Sequence, residues 1–114
     1  MSKKKLILVG RGASAGITRG KVQIVTSTKD TTRFEQGNIM VTRITDPSMI
    51  MIMTKASAIV TDIGGTTSHP SIISRELGIP CVVATEKATQ ILEEGVYIEV
   101  NGETGEIFLV KEKD

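Results

Sequence analysis

Ile59-Val60-Thr61-Asp62-Ile63-Gly64-Gly65-Thr66-Thr67-Ser68-His69-Pro70-Ser71-Ile72-Ile73-Ser74-Arg75-Glu76-Leu77-Gly78-Ile79-Pro80-Cys81-Val82-Val83 reads as strand, loop, helix and strand. Ala58 to Thr61 is a short apolar run of the kind that forms a buried strand, and it closes at Asp62. The polar glycine loop follows. Pro70 suits a first helical position, which predicts a helix over Pro70 to Leu77 with His69 as its N-cap. Ile72, Ile73 and Leu77 are expected on its apolar side, with Arg75 and Glu76 toward water. Gly78 is the C-cap, and Ile79-Pro80 launches a strand at Cys81-Val82-Val83.

Outward from this stretch the pattern continues. Upstream, Leu6 to Val9 and Lys21 to Val25 read as strands, separated by a glycine loop over residues 10–16. Ile39-Met40-Val41 leads to Asp46-Pro47, a helix start with Asp46 as cap, and a helix is expected over Met49 to Ala56. Its methionines read as core filler. Downstream, a helix is expected over Thr85 to Leu92. The strands Val96 to Val100 and Glu106 to Val110 follow, joined by the turn Asn101-Gly102-Glu103-Thr104-Gly105. Strands dominate the first part and alternate with helices in the second, so the chain is read as one mixed α/β domain over 1–114, with residues 1–5 as a flexible tail.

Composition narrows the function. The 114 residues include only three aromatic side chains, Phe34, Tyr97 and Phe108, so the core has to be built from Ile, Val, Leu, Met and Ala. A net charge of +1 gives no general attraction to nucleic acid or to an anionic membrane. Lys3-Lys4-Lys5 is the one basic run and reads as solvated tail. No stretch approaches the ~18 apolar residues of a membrane span, and no export leader is evident, which makes the cytoplasm the expected compartment. Cys81 is the only cysteine; lying in an apolar run, it reads as a buried, inert thiol.

His69 is the only histidine. A zinc site of the usual His/Cys kind needs several such ligands, so no metal site is expected. No Gly-x-Ser-x-Gly elbow supports a hydrolase, and no Gly-x4-Gly-Lys-Ser/Thr loop supplies an ATP site. Phosphoryl carriage makes three demands that this region can meet. One imidazole nitrogen must be an exposed, unprotonated nucleophile, which imidazole readily supplies near neutral pH. The other must hold its proton against a fixed acceptor. Donors must already be in place for the incoming charge. Gly64 and Gly65 allow backbone N–H groups close to a phosphate, and the helix start favours an anion. Thr66, Thr67 and Ser68 add three hydroxyls, any of which could touch phosphate or orient the ring. Asp62 and Arg75 are candidate supporting residues. The same features also fit a glycine turn that merely starts a helix beside an incidental histidine.

The stretch from Ile59 to Val83 resembles the phosphohistidine, or swivelling, domain of the phosphoenolpyruvate-utilising enzymes, which include phosphoenolpyruvate synthase, pyruvate phosphate dikinase and enzyme I of the sugar phosphotransferase system. The likeness extends to Gly12 through Val22, to Thr45-Asp46-Pro47 and to Val100 through Gly105. It implies a compact three-layer β/β/α domain. It also implies that His69 takes a phosphoryl group from a nucleotide- or phosphoenolpyruvate-binding domain and passes it on, with Thr67 on the family's threonine beside that histidine. No cofactor is then expected on this chain itself. ATP with magnesium, and phosphoenolpyruvate or pyruvate, are implied on partners: an ATP-binding subunit, a barrel subunit, or both.

Two residues depart from the family pattern. Thr66 stands where the synthases, dikinases and enzyme I usually carry Arg, and Pro70 replaces a small residue, removing one N–H from the anion site. Neither partner domain fits in 114 residues. The chain is therefore one subunit of a split enzyme, a piece of a longer one, or a solitary relic; Met1 and the ends suggest a chain that stands alone. A non-catalytic binding or regulatory module that keeps the fold is the alternative function.

Overall fold

The structure, a computed structural model, describes residues 4–111. Its strands are β1 (Lys4–Val9), β2 (Arg11–Ser14), β3 (Ile17–Val25), β4 (Ile39–Thr42), β5 (Ala58–Thr61), β6 (Cys81–Val83), β7 (Tyr97–Asn101) and β8 (Glu106–Val110). The helices are α1 (Ile50–Lys55), α2 (His69–Leu77) and α3 (Ala88–Ile91). The strands hydrogen-bond in the order β1-β8-β7-β3-β4-β5-β6-β2. β3 belongs to two ladders. Residues 17–21 pair antiparallel with β7, while residues 22–25 pair parallel with β4. One half of the structure is therefore an antiparallel sheet, and the other is a parallel β3-β4-β5-β6 sheet with β2 antiparallel at its edge.

Alternation along the parallel strands assigns each side chain to one of two cores. Met40, Ile59, Cys81 and Val83 point to the helical side, where they join Ile52, Met53 and Phe34. Ile39, Val41, Ala58, Val60 and Val82 point the other way and meet Ile98, Val100 and Ile107 of the antiparallel sheet. The layers are thus sheet, sheet and helices, the expected β/β/α arrangement. A fully buried Val or Ile contributes about 1.5–3 kcal/mol, and a slip of one residue would exchange the two cores, so the register is strongly fixed.

Several sequence expectations need correction. Arg11–Ser14 is a strand rather than a loop. The tail ends earlier than expected, because Lys4 and Lys5 already belong to β1. Lys4 donates to Glu99 at 2.9 Å and lies over the Phe108 ring; residues 1–3 lie outside the described residues. The Asp46 cap is present, accepting from Ser48 N at 2.8 Å, but it opens a 3-10 turn, Pro47–Met49, ahead of a short α1. Met40, Met49 and Met53 are buried, whereas Met51 is exposed. α3 is shorter than expected because Ala84 (φ 57°) and Glu86 (φ 72°) adopt left-handed backbone before it. Among the described residues no helix is long and apolar enough to cross a membrane.

Candidate functional site at the start of α2

β4 and β5 run parallel and leave the sheet side by side, and both exits build the site. Thr61 Oγ1 donates to Ile63 O at 2.8 Å, and Thr42 Oγ1 makes the corresponding long contact to Ile44 O at 3.5 Å. The ladder continues beyond the strands, with Ile63 N donating to Arg43 O at 3.0 Å. These bonds hold two loops together: residues 43–46 after β4 and 62–68 after β5. Ile44 and Ile63 emerge as exposed apolar side chains on the paired exits.

The loop after β5 is fixed from within. Gly64 has φ +139°, and a Cβ there would sit 2.9 Å from Ser68 Oγ, so only glycine fits without strain. Gly65 has nothing within 4 Å of its would-be Cβ. The Gly65 carbonyl accepts from Ser68 N at 3.1 Å, Ser68 Oγ at 2.7 Å and Ser71 Oγ at 2.6 Å. Those bonds leave the backbone N–H groups of Thr66 and Thr67 without a partner among the described residues.

The N-cap of α2 is Ser68 rather than His69, so His69 is the first residue of this nine-residue helix and Pro70 the second. The shift follows from Pro70, which needs no N–H at either of the first two positions. The buried side of α2 matches expectation at Ile73, which packs against the core on the helical side, and differs elsewhere. Pro70, Ser71 and Ser74 are buried, whereas Ile72 and Leu77 are exposed. Small serines allow the helix to lie close on the sheet, and Ser71 is needed inside for Gly65 O.

His69 is half-buried. Its Nδ1 lies 2.8 Å from Thr45 Oγ1. Thr45 itself is buried, so the imidazole is held on one edge by a fixed hydroxyl. Sequence reading missed Thr45 as a site residue: it is remote in the chain and was visible only as part of the Thr45-Asp46-Pro47 likeness. Asp46, next to it, has its carboxyl held below the ordinary carboxylate value by hydrogen bonds from the Ser48 hydroxyl and amide, with a smaller contribution from His69.

The remaining candidates take different places. Thr66 and Thr67 are exposed at the loop tip. The Asp62 carboxylate accepts from Thr89 N at 3.0 Å and Thr89 Oγ1 at 2.6 Å, which ties the β5 exit to α3 rather than to the imidazole. Arg75 donates through Nε to Ala13 O at 2.8 Å and through Nη2 to Thr66 O. Cys81 is fully buried beneath the start of α2, with its Sγ donating to Pro70 O at 3.8 Å and its thiol pushed up to about 11 by burial. Among the described residues no group of three His, Cys, Asp or Glu side chains could hold a metal ion.

The chain that carries this half-buried histidine is matched by known proteins. Residues 34–105 match the family described as "PEP-utilising enzyme, mobile domain". This chain belongs to that family. It is 48% identical over 104 residues to a probable phosphoenolpyruvate synthase of Archaeoglobus fulgidus, covering 91% of this chain and 14% of that protein. It is 46% identical over 116 residues to the phosphoenolpyruvate synthase of Pyrococcus furiosus, covering 96% of this chain and 14% of that protein. The mobile domain thus spans about one seventh of these relatives' length. A solution structure of Enzyme I aligns with a TM-score of 0.61 and 29% identity, over 75% of this chain and 35% of that one. The holo aconitase X of Thermococcus kodakaraensis aligns with a TM-score of 0.67 at 19% identity, over 96% and 99% of the two chains, a likeness of fold alone.

Proposed function

We propose that this mobile domain is a phosphoryl carrier and that His69 Nε2 is the atom that carries the group. The observation behind this reading is the 2.8 Å contact between Thr45 Oγ1 and His69 Nδ1. With the Nδ1 proton donated to that hydroxyl, Nε2 keeps its lone pair and the ring is held along that edge. In the transfer step the lone pair attacks phosphorus, the bond from phosphorus to the donor's oxygen breaks, and that oxygen leaves with the bonding electrons. The Nδ1 proton stays in place, and attack by an acceptor reverses the sequence. The unpartnered N–H groups of Thr66 and Thr67 and the positive end of α2 are donors suited to the charge the group brings.

The donor and acceptor belong to other polypeptide segments: a nucleotide-binding unit using ATP with magnesium, and a unit binding phosphoenolpyruvate or pyruvate. The relatives' sevenfold greater length leaves room for both. The test supplies labelled ATP or phosphoenolpyruvate with the cognate partner. Acid-labile label should appear on the full chain and vanish in His69→Ala. No label with every candidate partner present would end this reading. A non-catalytic module is the second reading, favoured by the uncharged side chain of Thr66 and by the missing N–H at Pro70. It requires His69→Ala to leave the partner's turnover unchanged.

A further inference from the structure

We propose that Arg75 is a positioning residue for His69, acting by clamping the glycine loop to β2; this rests on the carrier reading above. Arg75 lies on α2 six residues beyond His69. Long side chains on a helix lean toward its N-terminus, and Arg75 reaches back past Ser71 and Ile72 to the loop. Its Nε and Nη2 donors take two carbonyls from separate segments, Ala13 O on β2 and Thr66 O in the loop. A guanidinium presents its donors at fixed spacing, which a lysine ammonium cannot reproduce.

The Thr66 carbonyl belongs to the peptide unit whose N–H is that of Thr67. Fixing that carbonyl therefore fixes the direction of an unpartnered donor two residues before His69. Ser68 and Ser71 hold the preceding carbonyl, Gly65 O, from the inside, so Arg75 supplies the outer hold on a loop tip that is otherwise exposed. The side chain of Thr66 brings no charge to the loop, and Arg75 brings its cation to the same residue through the backbone.

The experiment uses the full chain with phosphoramidate as a small phosphoryl donor, so that no partner protein is needed. His69 attacks phosphorus, the P–N bond breaks and ammonia leaves. Arg75→Met and Arg75→Lys are compared with wild type by phosphorus NMR, together with melting temperature and backbone amide shifts. Phosphorylation of both variants is expected to fall roughly tenfold, within the hundredfold that a displacement of about 1 Å can cost. Amide signals of Thr66, Thr67 and Ser68 should move, those of β7 and β8 should not, and Arg75→Lys should recover melting temperature without recovering rate. A wild-type rate in Arg75→Met, unmoved loop signals, or a rate loss that merely follows unfolding would overturn the proposal. If wild type takes no phosphoryl group from phosphoramidate or from a partner, the carrier reading falls. The loop signals then decide the clamp alone, movement supporting it and stillness refuting it.

Discussion

Replacing Thr45 with Val removes one hydroxyl and keeps the branched shape, so the buried position is not hollowed out. What is lost is the hydrogen bond to His69 Nδ1 at 2.8 Å. A neutral side-chain hydrogen bond contributes about 0.5–1.5 kcal/mol. If that energy selects the tautomer with the proton on Nδ1, its loss lowers the ratio of Nδ1–H to Nε2–H imidazole roughly two- to tenfold. Phosphoryl uptake follows the fraction of the ring with its proton on Nδ1, so it should fall by at most the same factor. Global stability should change by about 1 kcal/mol, a shift of about 4 °C in melting temperature. Nitrogen NMR of the His69 ring reads the tautomers, and label incorporation reads the uptake. Thr45→Ser should behave nearly as wild type. A Thr45→Val protein with the wild-type tautomer ratio, or with undiminished uptake, would show that the contact does not set the nucleophile.

Three further outcomes are expected. Gly64→Ala forces a side chain onto positive-φ backbone and within 2.9 Å of Ser68 Oγ, so it should lower stability by about 1–3 kcal/mol. Gly65→Ala meets nothing and should melt as wild type; equal melting of the two would refute the loop geometry. Ala84, at φ 57°, carries left-handed strain of about 1–2 kcal/mol, partly offset in Ala84→Gly by the looser unfolded chain. That variant should gain up to about 1 kcal/mol by denaturant unfolding, and a loss would contradict the assigned backbone. Burial pushes the Glu99 carboxyl up, but hydrogen bonds from Lys4 and Arg19 outweigh it and hold the group below its ordinary 4.5. The stabilisation is therefore complete above the unfolded-state value and lost as pH falls through the lower folded one. Glu99→Gln should cost about 1–2 kcal/mol at neutral pH and nothing once both carboxyl states are protonated; a cost that persists in acid would mean the ion pairs are not its source.

The strands β5 and β6 and the end of α2 were legible because local chemistry decides them: apolar runs bounded by Asp62 and Pro80, and a left-handed Gly78 (φ 74°) as C-cap. β2 was not. Its Gly12 serves close packing rather than a turn, since a Cβ there would meet Gly102 O at 2.5 Å from a segment far along the chain. The inward face of α2 was misread for a related reason. Ile72 is the more apolar residue, but Ser71 and Ser74 fit the tight contact with the sheet, and hydropathy alone does not register closeness. The same limit hid Thr45. Its contact with His69 spans 24 residues and exists because two parallel strands end together, a fact of tertiary pairing. His69 itself stood out, being unique and set on a glycine loop.

The antiparallel pairing of β1 with β8 sets Lys4 opposite Val110. The polypeptide thus comes into the domain and goes out of it at one spot on the sheet's rim. Joined into a longer protein, such a body hangs from two neighbouring tethers, and turning about that common pivot stretches neither of them. Such a pivot lets the body turn as one rigid unit, with its internal hydrogen bonds intact.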